Sequence, residues 1–314
     1  MNILLTGATG FVGLHFLSFF SKNHTDHHIF AAVRTVPQEE FPQVTWLGLH
    51  EQWENYLRDH NIDVVLHLLG KAHDTKNTTE PEEYDKVNFI YTRDLYNAFV
   101  KSKAQKFIFL STIKAVGDDK TYVANANDLS IPQTPYAKSK KKAEDYIRSC
   151  VLPPDKTFYI LRPTLIYGPR VKGNLATLVK FAKKGLPYPF SAFENKRSYL
   201  SVNNLCYIIA VLLKEDLKSF TLNIANEDSL STKEIIELVA KKLGKTPSLL
   251  NIPASLIKYA ARLGDLLRIL PFDSEKLKKI TSSFVVDTSE MEKTLGTPLP
   301  EKTRDSITQI IESN

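Results

Sequence analysis

The stretch Thr6-Gly7-Ala8-Thr9-Gly10-Phe11-Val12-Gly13 decides the fold of this chain. It directly follows a short apolar run, Asn2–Leu5, and opens a helical pattern over Phe11–Ser21. Glycines at this spacing permit a tight turn, a close approach of the backbone to a pyrophosphate, and close packing of helix on strand. The free amides and positive dipole end of such a helix bind phosphate groups. The stretch therefore predicts a dinucleotide site that contains Gly7, Thr9, Gly10, Phe11, Val12 and Gly13.

Short apolar runs alternate with helical patterns through the first half of the chain, which is typical of βαβ units. The runs are continuously apolar, as expected for parallel strands that are covered on both faces. The predicted fold class is α/β, with a Rossmann-type doubly wound parallel sheet. Strands are predicted at Asn2–Leu5, Ile29–Val33, Val44–Leu47, Val64–Leu69, Lys106–Leu110 and Phe158–Leu161. Helices are predicted at Phe11–Ser21, Gln52–Asp59, Glu82–Ser102 and Tyr136–Cys150.

The pattern changes after Tyr167-Gly168-Pro169, where helices and loop residues become more frequent. We therefore predict that residues 1–167 form the dinucleotide-binding domain and residues 168–314 a smaller, mostly helical substrate-binding lobe. A short strand at Phe220–Ile224 is expected to return to the main sheet. Ser231 followed by Glu234 predicts a capping box at a helix start. The helices predicted in this lobe are Asn174–Lys184, Asn203–Lys214, Ser231–Leu243 and Ala254–Leu270.

The composition is that of a folded globular chain, with 314 residues, of which 43% are hydrophobic and 24% charged. The formal net charge is +6, but the basic residues are scattered or share helices with acidic ones. Because no nucleic-acid-binding motif accompanies this charge, we expect no nucleic-acid partner. A mild positive excess suits a cofactor and a substrate that both carry diphosphates.

The cysteine content and the length of the apolar runs indicate in which cellular compartment the protein is expected. Cys150 and Cys206 can build no disulfide framework and lack the spacing of a metal site, which favours a reduced, cytoplasmic setting without a bound metal. Met1–Leu5 leads straight into the glycine motif and is interpreted as a strand, not as a signal peptide. No apolar run approaches the ~20 residues of a membrane span. The amphipathic segment Leu256–Leu270 is interpreted as a packed helix and not as a membrane-surface helix.

Tyr136 and Lys140 form a Tyr-x-x-x-Lys pair on a predicted helix. Residues four apart share one helix face, so both side chains can reach the same site. A free tyrosine has a pKa near 10 and is a poor base at neutral pH, so a neighbouring ammonium is expected to lower it. Lys140 would supply that charge and bind ribose hydroxyls. Lys138, Lys141 and Lys142 are interpreted as the solvated face of the same helix.

Two further residues follow predicted strands. Thr112 comes just after Lys106–Leu110, at the carboxyl edge where open α/β sheets bind ligands, and its hydroxyl could hold a reacting oxygen. A Ser-Thr pair at this position is also typical of a strand-end cap. Arg34 ends the second strand, where NAD-specific proteins usually carry an acid. Arg34 could meet the 2′-phosphate of NADP, so NADP(H) is favoured over NAD(H), although a solvated surface arginine is the alternative.

Together these motifs resemble the extended short-chain dehydrogenase/reductase superfamily, specifically its NAD(P)-dependent nucleotide-sugar epimerase/dehydratase branch, over nearly the whole chain. Its glycine motif, T-G-x-x-G-x-x-G, is matched by Thr6, Gly7, Gly10 and Gly13. Its catalytic Ser/Thr, Tyr and Lys fall on Thr112, Tyr136 and Lys140. The resemblance further implies cofactor contacts from Leu68, Leu69, Gly70, Asn88 and Pro163. In the second lobe it implies substrate contacts from Asn174, Leu175 and Arg197, with Arg197 on the diphosphate.

The chain departs from the family pattern in two places. Family 4,6-dehydratases carry Asp-Glu after the catalytic threonine, whereas Ile113 and Lys114 stand here. Elimination of water from the sugar therefore has no evident catalyst. The usual acid after the third strand is also missing around Gly48-Leu49, which weakens the expectation of adenine contacts there.

The resemblance leaves three functions open. The leading hypothesis is a reductase of UDP-4-keto-6-deoxy-HexNAc sugars in surface-polysaccharide synthesis, with Tyr136 donating the proton and Thr112 holding the C4 oxygen. The alternative is a UDP-sugar 4-epimerase acting on UDP-GlcNAc or UDP-glucose. A non-catalytic cofactor-binding regulator is the third, although such proteins typically lose the tyrosine or lysine. The resemblance also implies a homodimer through Glu82–Ser102 and Tyr136–Cys150.

Overall fold

A computed structural model describes residues 1–23, 27–38, 40–49, 52–72, 80–117, 131–267 and 273–313 of the protein. These residues form a seven-stranded, fully parallel sheet in the order β3-β2-β1-β4-β5-β6-β9. Because the chain moves outward from β1 on both sides, the sheet is doubly wound and has its switch point between β1 and β4. The strands are β1 Asn2–Thr6, β2 His28–Val33, β3 Val44–Gly48, β4 Val64–His67, β5 Lys106–Leu110, β6 Thr157–Pro163 and β9 Phe220–Ile224. The predicted fold class is confirmed.

The continuously apolar strands are explained by helices that cover both faces of the sheet. Ile3 and Leu5 of β1 belong to one apolar cluster and Leu4 to the other, because successive side chains point to opposite faces. Helices α1 and α7 pack on the first face, and α2, α4 and α5 pack on the second. The helices are α1 Phe11–Asn23, α2 Trp53–Asp59, α3 Pro81–Tyr84, α4 Tyr91–Lys101, α5 Pro135–Ser149, α6 Asn174–Lys183, α7 Val202–Lys214, α8 Thr232–Lys242, α9 Ala254–Leu267, α10 Ser274–Thr281, α11 Ser289–Leu295 and α12 Thr303–Ser306.

The segment predicted as one helix over Glu82–Ser102 is interrupted. Helix α3 passes into a π-helical turn at Asp85–Ile90, and α4 then continues as an ordinary α-helix. A π-turn inserts an extra residue into the helix, and such insertions occur frequently at functional sites. Here the turn contains Asn88, which is completely buried.

The second part of the chain contains a small sheet and a cluster of helices. Strands β7 Leu165–Tyr167, β8 Arg197–Ser201 and β10 Ser229–Leu230 form a sheet in the order β10-β8-β7, which the sequence did not predict. The predicted capping box at the start of α8 is confirmed, because the Ser231 hydroxyl accepts from the Glu234 amide and the Glu234 carboxylate accepts from the Ser231 amide. The last residues of the helix predicted over Ala254–Leu270 lie outside the described residues.

The second part of the chain does not fold apart from the main sheet. Strand β9 pairs with β6, as predicted for Phe220–Ile224. Leu205 and Ile209 of α7, together with Met291 of α11, lie in the same apolar cluster as β1. The division at Tyr167 into a cofactor domain and a substrate lobe therefore stays a prediction about function. Within the described part of the chain, no helix is long and apolar enough to cross a membrane.

Candidate active site

Helix α5 places Tyr136 and Lys140 on one face. The helix begins at Pro135, whose fixed φ suits the first helical position. The side chain of Thr134, the N-cap residue, accepts a hydrogen bond from the Ala137 amide at 3.3 Å. Because Tyr136 and Lys140 are four positions apart along the helix, they lie one turn apart on the same side.

Lys140 is buried at the carboxyl end of β5. Its ammonium donates to the Leu110 carbonyl at 2.9 Å and lies 3.5 Å from the Leu69 carbonyl. It also lies 4.6 Å from the ring centre of Phe109. Burial lowers the pKa of Lys140 to about 7, and the neighbouring Glu144 carboxylate opposes that shift. Lys140 therefore changes its charge close to neutral pH.

Thr112 and Tyr136 meet at the end of β5. The Thr112 hydroxyl accepts a hydrogen bond from the Lys114 amide at 3.3 Å, as expected of a cap, and it lies near enough to the Tyr136 phenol to favour the phenolate. Burial raises the pKa of Tyr136, the nearby Thr112 hydroxyl opposes that shift, and Tyr84 adds to it. The structure thus brings Thr112, Tyr136 and Lys140 to one edge of the sheet. The lowered tyrosine pKa expected from the sequence is not found in this form of the protein.

The glycine turn between β1 and α1 has the geometry of a cradle. Gly7 has a positive φ of 77°, and a Cβ atom there would lie 2.7 Å from the backbone of Leu68 and Leu69. A Cβ on Gly13 would lie 2.3 Å from the Gly7 carbonyl. Gly10 is exposed, and its amide donates to the Gly7 carbonyl at 3.0 Å. The first-turn amides of α1, at residues 11–13, have no acceptor within the helix. This cradle fits the diphosphate of a dinucleotide.

Gly70, in the segment after β4 that is predicted to line the cofactor, and Asn88 both lie against α5. A Cβ on Gly70 would lie 3.0 Å from the Lys140 ammonium, so the chain passes closely over that group. The Asn88 amide group accepts from the Lys71 amide at 2.8 Å and donates to the Lys71 carbonyl at 3.1 Å. It also donates to the Ser139 hydroxyl at 3.0 Å. Asn88 therefore fixes the strand end against the helix that carries Tyr136 and Lys140.

Sequence reasoning missed a buried histidine that connects these parts. One ring nitrogen of His67 lies 2.6 Å from the Thr6 hydroxyl, and the other lies 2.8 Å from the Thr92 hydroxyl. Thr92 donates its own proton to the Asn88 carbonyl at 2.8 Å, so it must accept from His67 Nε2. His67 Nδ1 then accepts from Thr6. Burial, with a contribution from Lys140, holds the pKa of His67 well below its usual value, so the ring is neutral.

A buried ion pair beneath Lys140 was also missed. The Arg162 guanidinium binds both oxygens of the Glu144 carboxylate, at 2.6 Å for Nη2 to Oε2 and 2.9 Å for Nε to Oε1. Glu144 is completely buried and also accepts from the Ser111 hydroxyl. The pair joins β5, β6 and α5. The position of Glu144 one turn after Lys140 on α5 could have suggested that Glu144 lies near the site, but not that its partner is Arg162 on β6.

The remaining predicted residues are more scattered. Arg34 is exposed directly after β2, and Pro163 is buried at the end of β6. Asn174 is exposed at the start of α6, whereas Leu175 packs into the apolar cluster of the second lobe. The Arg197 guanidinium donates to the carbonyl and the hydroxyl of Ser282, both at 2.9 Å. None of these residues is brought into contact with Tyr136 by a described hydrogen bond.

A comparison with protein-family models shows to which family the chain belongs. Residues 3–225 match the model described as the NAD dependent epimerase/dehydratase family. The chain belongs to that family. As a member of it, the protein is an enzyme whose family uses a nicotinamide cofactor and includes enzymes of nucleotide sugars. The resemblance stated from the glycine, tyrosine and lysine motifs is confirmed.

The chain is similar to several members of the family that are named as 4-epimerases. The chain is 29% identical to a UDP-glucose 4-epimerase of Vibrio cholerae, over 98% of this chain and 94% of the relative. It is 26% identical to the N-acetyl-alpha-D-glucosaminyl-diphospho-ditrans,octacis-undecaprenol 4-epimerase of Escherichia coli O157:H7, over 81% of this chain and 76% of the relative. The solved UDP-glucuronic acid 4-epimerase of Bacillus cereus in complex with NAD has a TM-score of 0.75, with 21% identity over 99% and 98% of the two chains. That last likeness shows the fold alone.

Among the described residues, no group of three or more His, Cys, Asp or Glu side chains could hold a metal ion.

Proposed function

We propose that the protein is a UDP-sugar 4-epimerase that retains NAD(H) through its catalytic cycle. The observation that carries this proposal is that Thr112, Tyr136 and the buried ammonium of Lys140 meet at the carboxyl end of β5. Both curated relatives named above are 4-epimerases, and one of them matches almost the whole chain. These relatives favour the 4-epimerase over the 4-ketoreductase that the sequence motifs favoured.

Proton transfer at the C4 oxygen is assigned to Tyr136. The Tyr136 phenolate takes the proton of the C4 hydroxyl, and Thr112 holds that oxygen by a hydrogen bond. A nicotinamide cofactor held by the glycine cradle would supply reversible hydride transfer at C4, so that C4 is inverted if the intermediate ketone turns over between the two transfers. Tyr136 then returns the proton to the C4 oxygen. The product is the C4 epimer, and neither protons nor electrons are consumed overall.

Lys140 controls the charge state of Tyr136 in this scheme. With a pKa of about 7, Lys140 is protonated in roughly half of the molecules near neutral pH. A protonated Lys140 on the same face of α5 would favour the phenolate and oppose the rise in the pKa of Tyr136 that burial causes. The two groups are therefore expected to titrate as a coupled pair, and the rate should fall on both sides of an optimum.

The residues proposed to hold the cofactor surround the glycine cradle. The cradle itself would take the diphosphate, and the strand end that Asn88 fixes would lie beside the nicotinamide half. The proposed cofactor residues are Gly7, Thr9, Gly10, Phe11, Val12, Gly13, Leu68, Leu69, Gly70, Asn88, Tyr136, Lys140 and Pro163. The proposed substrate residues are Thr112, Asn174, Leu175 and Arg197, and Arg197 would have to exchange its bonds with Ser282 for the diphosphate.

The second candidate function is the 4-ketoreductase that uses NADPH. It is favoured by the exposed Arg34 after β2, where a 2′-phosphate would find a cation. The released cofactor of a reductase would be oxidised in each turnover, whereas an epimerase restores it. Binding of NAD⁺ and NADP⁺ to the wild type and to Arg34→Ala, measured by calorimetry, separates the two. The NADPH-dependent reductase predicts that NADP⁺ binds more tightly than NAD⁺ and that Arg34→Ala removes the difference.

The decisive experiment follows product and cofactor together. The protein is incubated with UDP-glucose, with UDP-GlcNAc and with UDP-4-keto-6-deoxy-GlcNAc, while the absorbance of added NADPH is recorded. We expect C4-epimerised product without net consumption of reduced cofactor. Consumption of NADPH with the keto sugar alone would establish the reductase. Absence of turnover on all three sugars, with normal cofactor binding, would favour a non-catalytic regulator.

We further propose a cytoplasmic homodimer. The dimer would form through the segments Glu82–Ser102 and Tyr136–Cys150, where Ile90 is partly exposed. Light scattering of the wild type and of Ile90→Arg tests this. A wild-type mass of one chain, or a dimer that Ile90→Arg leaves intact, would contradict the proposed interface.

A further inference from the structure

An apolar stripe runs along the exposed side of α9. Leu256 is 59% exposed, Tyr259 is 63% exposed and Leu266 is 78% exposed. Leu263, which is partly exposed, lies between the last two. Their spacing of three, four and three residues places all four side chains on one side of the helix. Single exposed apolar residues are common, but a continuous row of this kind marks an interaction surface.

The stripe is not the side by which α9 is held in the fold. Ile257 and Ala261, which lie on the opposite side, are buried against Leu277 of α10. Phe190 and Phe193 pack against the same cluster. The helix therefore has one apolar side for the protein and a second apolar side that the described residues leave exposed.

Basic residues border the exposed stripe. Lys258 and Arg262 are both exposed and stand one turn apart on α9. Asp265 is the acidic residue of this helix, and its carboxylate already accepts the Ser274 amide at 3.0 Å. Leucine and tyrosine on one face with lysine and arginine beside them is the composition of helices that lie in the membrane interface. The amphipathic ring of Tyr259 also suits that boundary.

We propose that α9, which the sequence pattern predicted to be only a packed helix, also binds the surface of an anionic lipid bilayer through its exposed side. The helix would lie parallel to the membrane, with Leu256, Tyr259 and Leu266 among the upper acyl chains. Lys258 and Arg262 would contact lipid phosphates. A bilayer is favoured over a protein partner because exposed leucine and tyrosine side chains lie beside exposed lysine and arginine on one helix. The basic border is complementary to the negative charge of the lipid.

The test is cosedimentation of the full chain with vesicles of phosphatidylcholine and phosphatidylglycerol at a ratio of about seven to three, with pure phosphatidylcholine in parallel. We expect binding to the anionic vesicles that weakens with salt. Lys258→Gln with Arg262→Gln should lower the partition coefficient about 25-fold, or about fivefold for each basic residue. Tyr259→Gln with Leu266→Gln should lower it at least about tenfold.

Matched controls separate this surface from general effects. Lys241→Gln with Lys242→Gln removes the same charge from the exposed part of α8, and Val151→Gln removes an exposed apolar side chain elsewhere. Both controls should bind as the wild type does, and all variants should keep wild-type turnover of soluble substrate and wild-type melting temperatures. The proposal is overturned if the wild type ignores anionic vesicles, or if the two α9 variants bind them unchanged. It is also overturned if Tyr259→Gln with Leu266→Gln dissociates a dimer, because the stripe then joins two copies of the chain.

Discussion

Replacing Lys140 with methionine should remove most of the pH dependence of stability between about pH 7 and pH 9. The substitution keeps the length and the apolar stem of the side chain and removes the buried ammonium. In the wild type, Lys140 has a pKa of about 7 when folded and an ordinary value of 10.5 when exposed. The unfolded chain therefore binds more protons than the folded chain between these values, and the free energy of unfolding rises with pH.

The size of the effect follows from these two pKa values. Below about pH 7 both states are protonated, so the cost of burying the ammonium is at its full value and no longer changes. From about pH 7 to about pH 9 that cost falls by about 2 kcal/mol, and it vanishes above the unfolded pKa. At about pH 7 the substitution removes a burial cost of about 4 kcal/mol. It also leaves the carbonyls of Leu69 and Leu110 without their donor, at about 1–3 kcal/mol each. Because these effects nearly cancel, the pH slope is the quantity to measure.

The assay is urea unfolding followed by tryptophan fluorescence at several values between about pH 6 and pH 9. The wild type should gain stability over the upper part of this range, and Lys140→Met should gain about 2 kcal/mol less. Lys138→Met, which removes an exposed lysine from the same helix, should keep the wild-type slope. Equal slopes for the wild type and Lys140→Met would refute the assignment of a buried, titrating ammonium.

Three further substitutions test the candidate site. Tyr136→Phe should lower kcat by a factor of about 10²–10⁴, because proton transfer at the C4 oxygen is lost. Cofactor affinity should stay within about threefold of the wild-type value. A smaller loss of turnover would contradict the role of Tyr136. Gly7→Ala should abolish cofactor binding measured by calorimetry, because the added Cβ would lie 2.7 Å from the backbone of Leu68 and the φ of residue 7 is positive. Retained cofactor affinity would contradict the assignment of the diphosphate to the glycine cradle. Glu144→Ala should lower the free energy of unfolding by about 3–5 kcal/mol, because Arg162 is left buried without its partner. Urea unfolding checks this value, and a loss below about 1 kcal/mol would show that the pair contributes little.

The main sheet could be predicted because its strands are short, buried apolar runs. The bounds of β5 and β9 agree with the predictions to the residue, and the other strands differ by one or two residues at their ends. The π-turn at Asp85–Ile90 could not be predicted, because the helical pattern continues through it. Asn88 is held there by backbone atoms of Lys71, a contact that no local pattern records.

Residues of the candidate site could be predicted only where they belong to a motif that is contiguous in the sequence. The glycine turn and the Tyr136–Lys140 spacing each lie within one helix or turn. His67 and the pair of Glu144 with Arg162 were missed because their partners lie on other strands and helices. Leu175 was assigned to the substrate from the family pattern, although its side chain also satisfies the needs of an apolar core.

The return of β9 to the main sheet has a consequence for synthesis of the chain. Strand β6 ends at Pro163, but its outer edge is paired only when Phe220–Ile224 arrives. Helix α7, which covers one face of the sheet, also comes from this later stretch. A nascent chain that has emerged only as far as Tyr167 would present an open strand edge and an apolar face that α1 covers only in part, and both features favour aggregation. The sheet of the first half can therefore be completed only after the chain has been translated through Ile224.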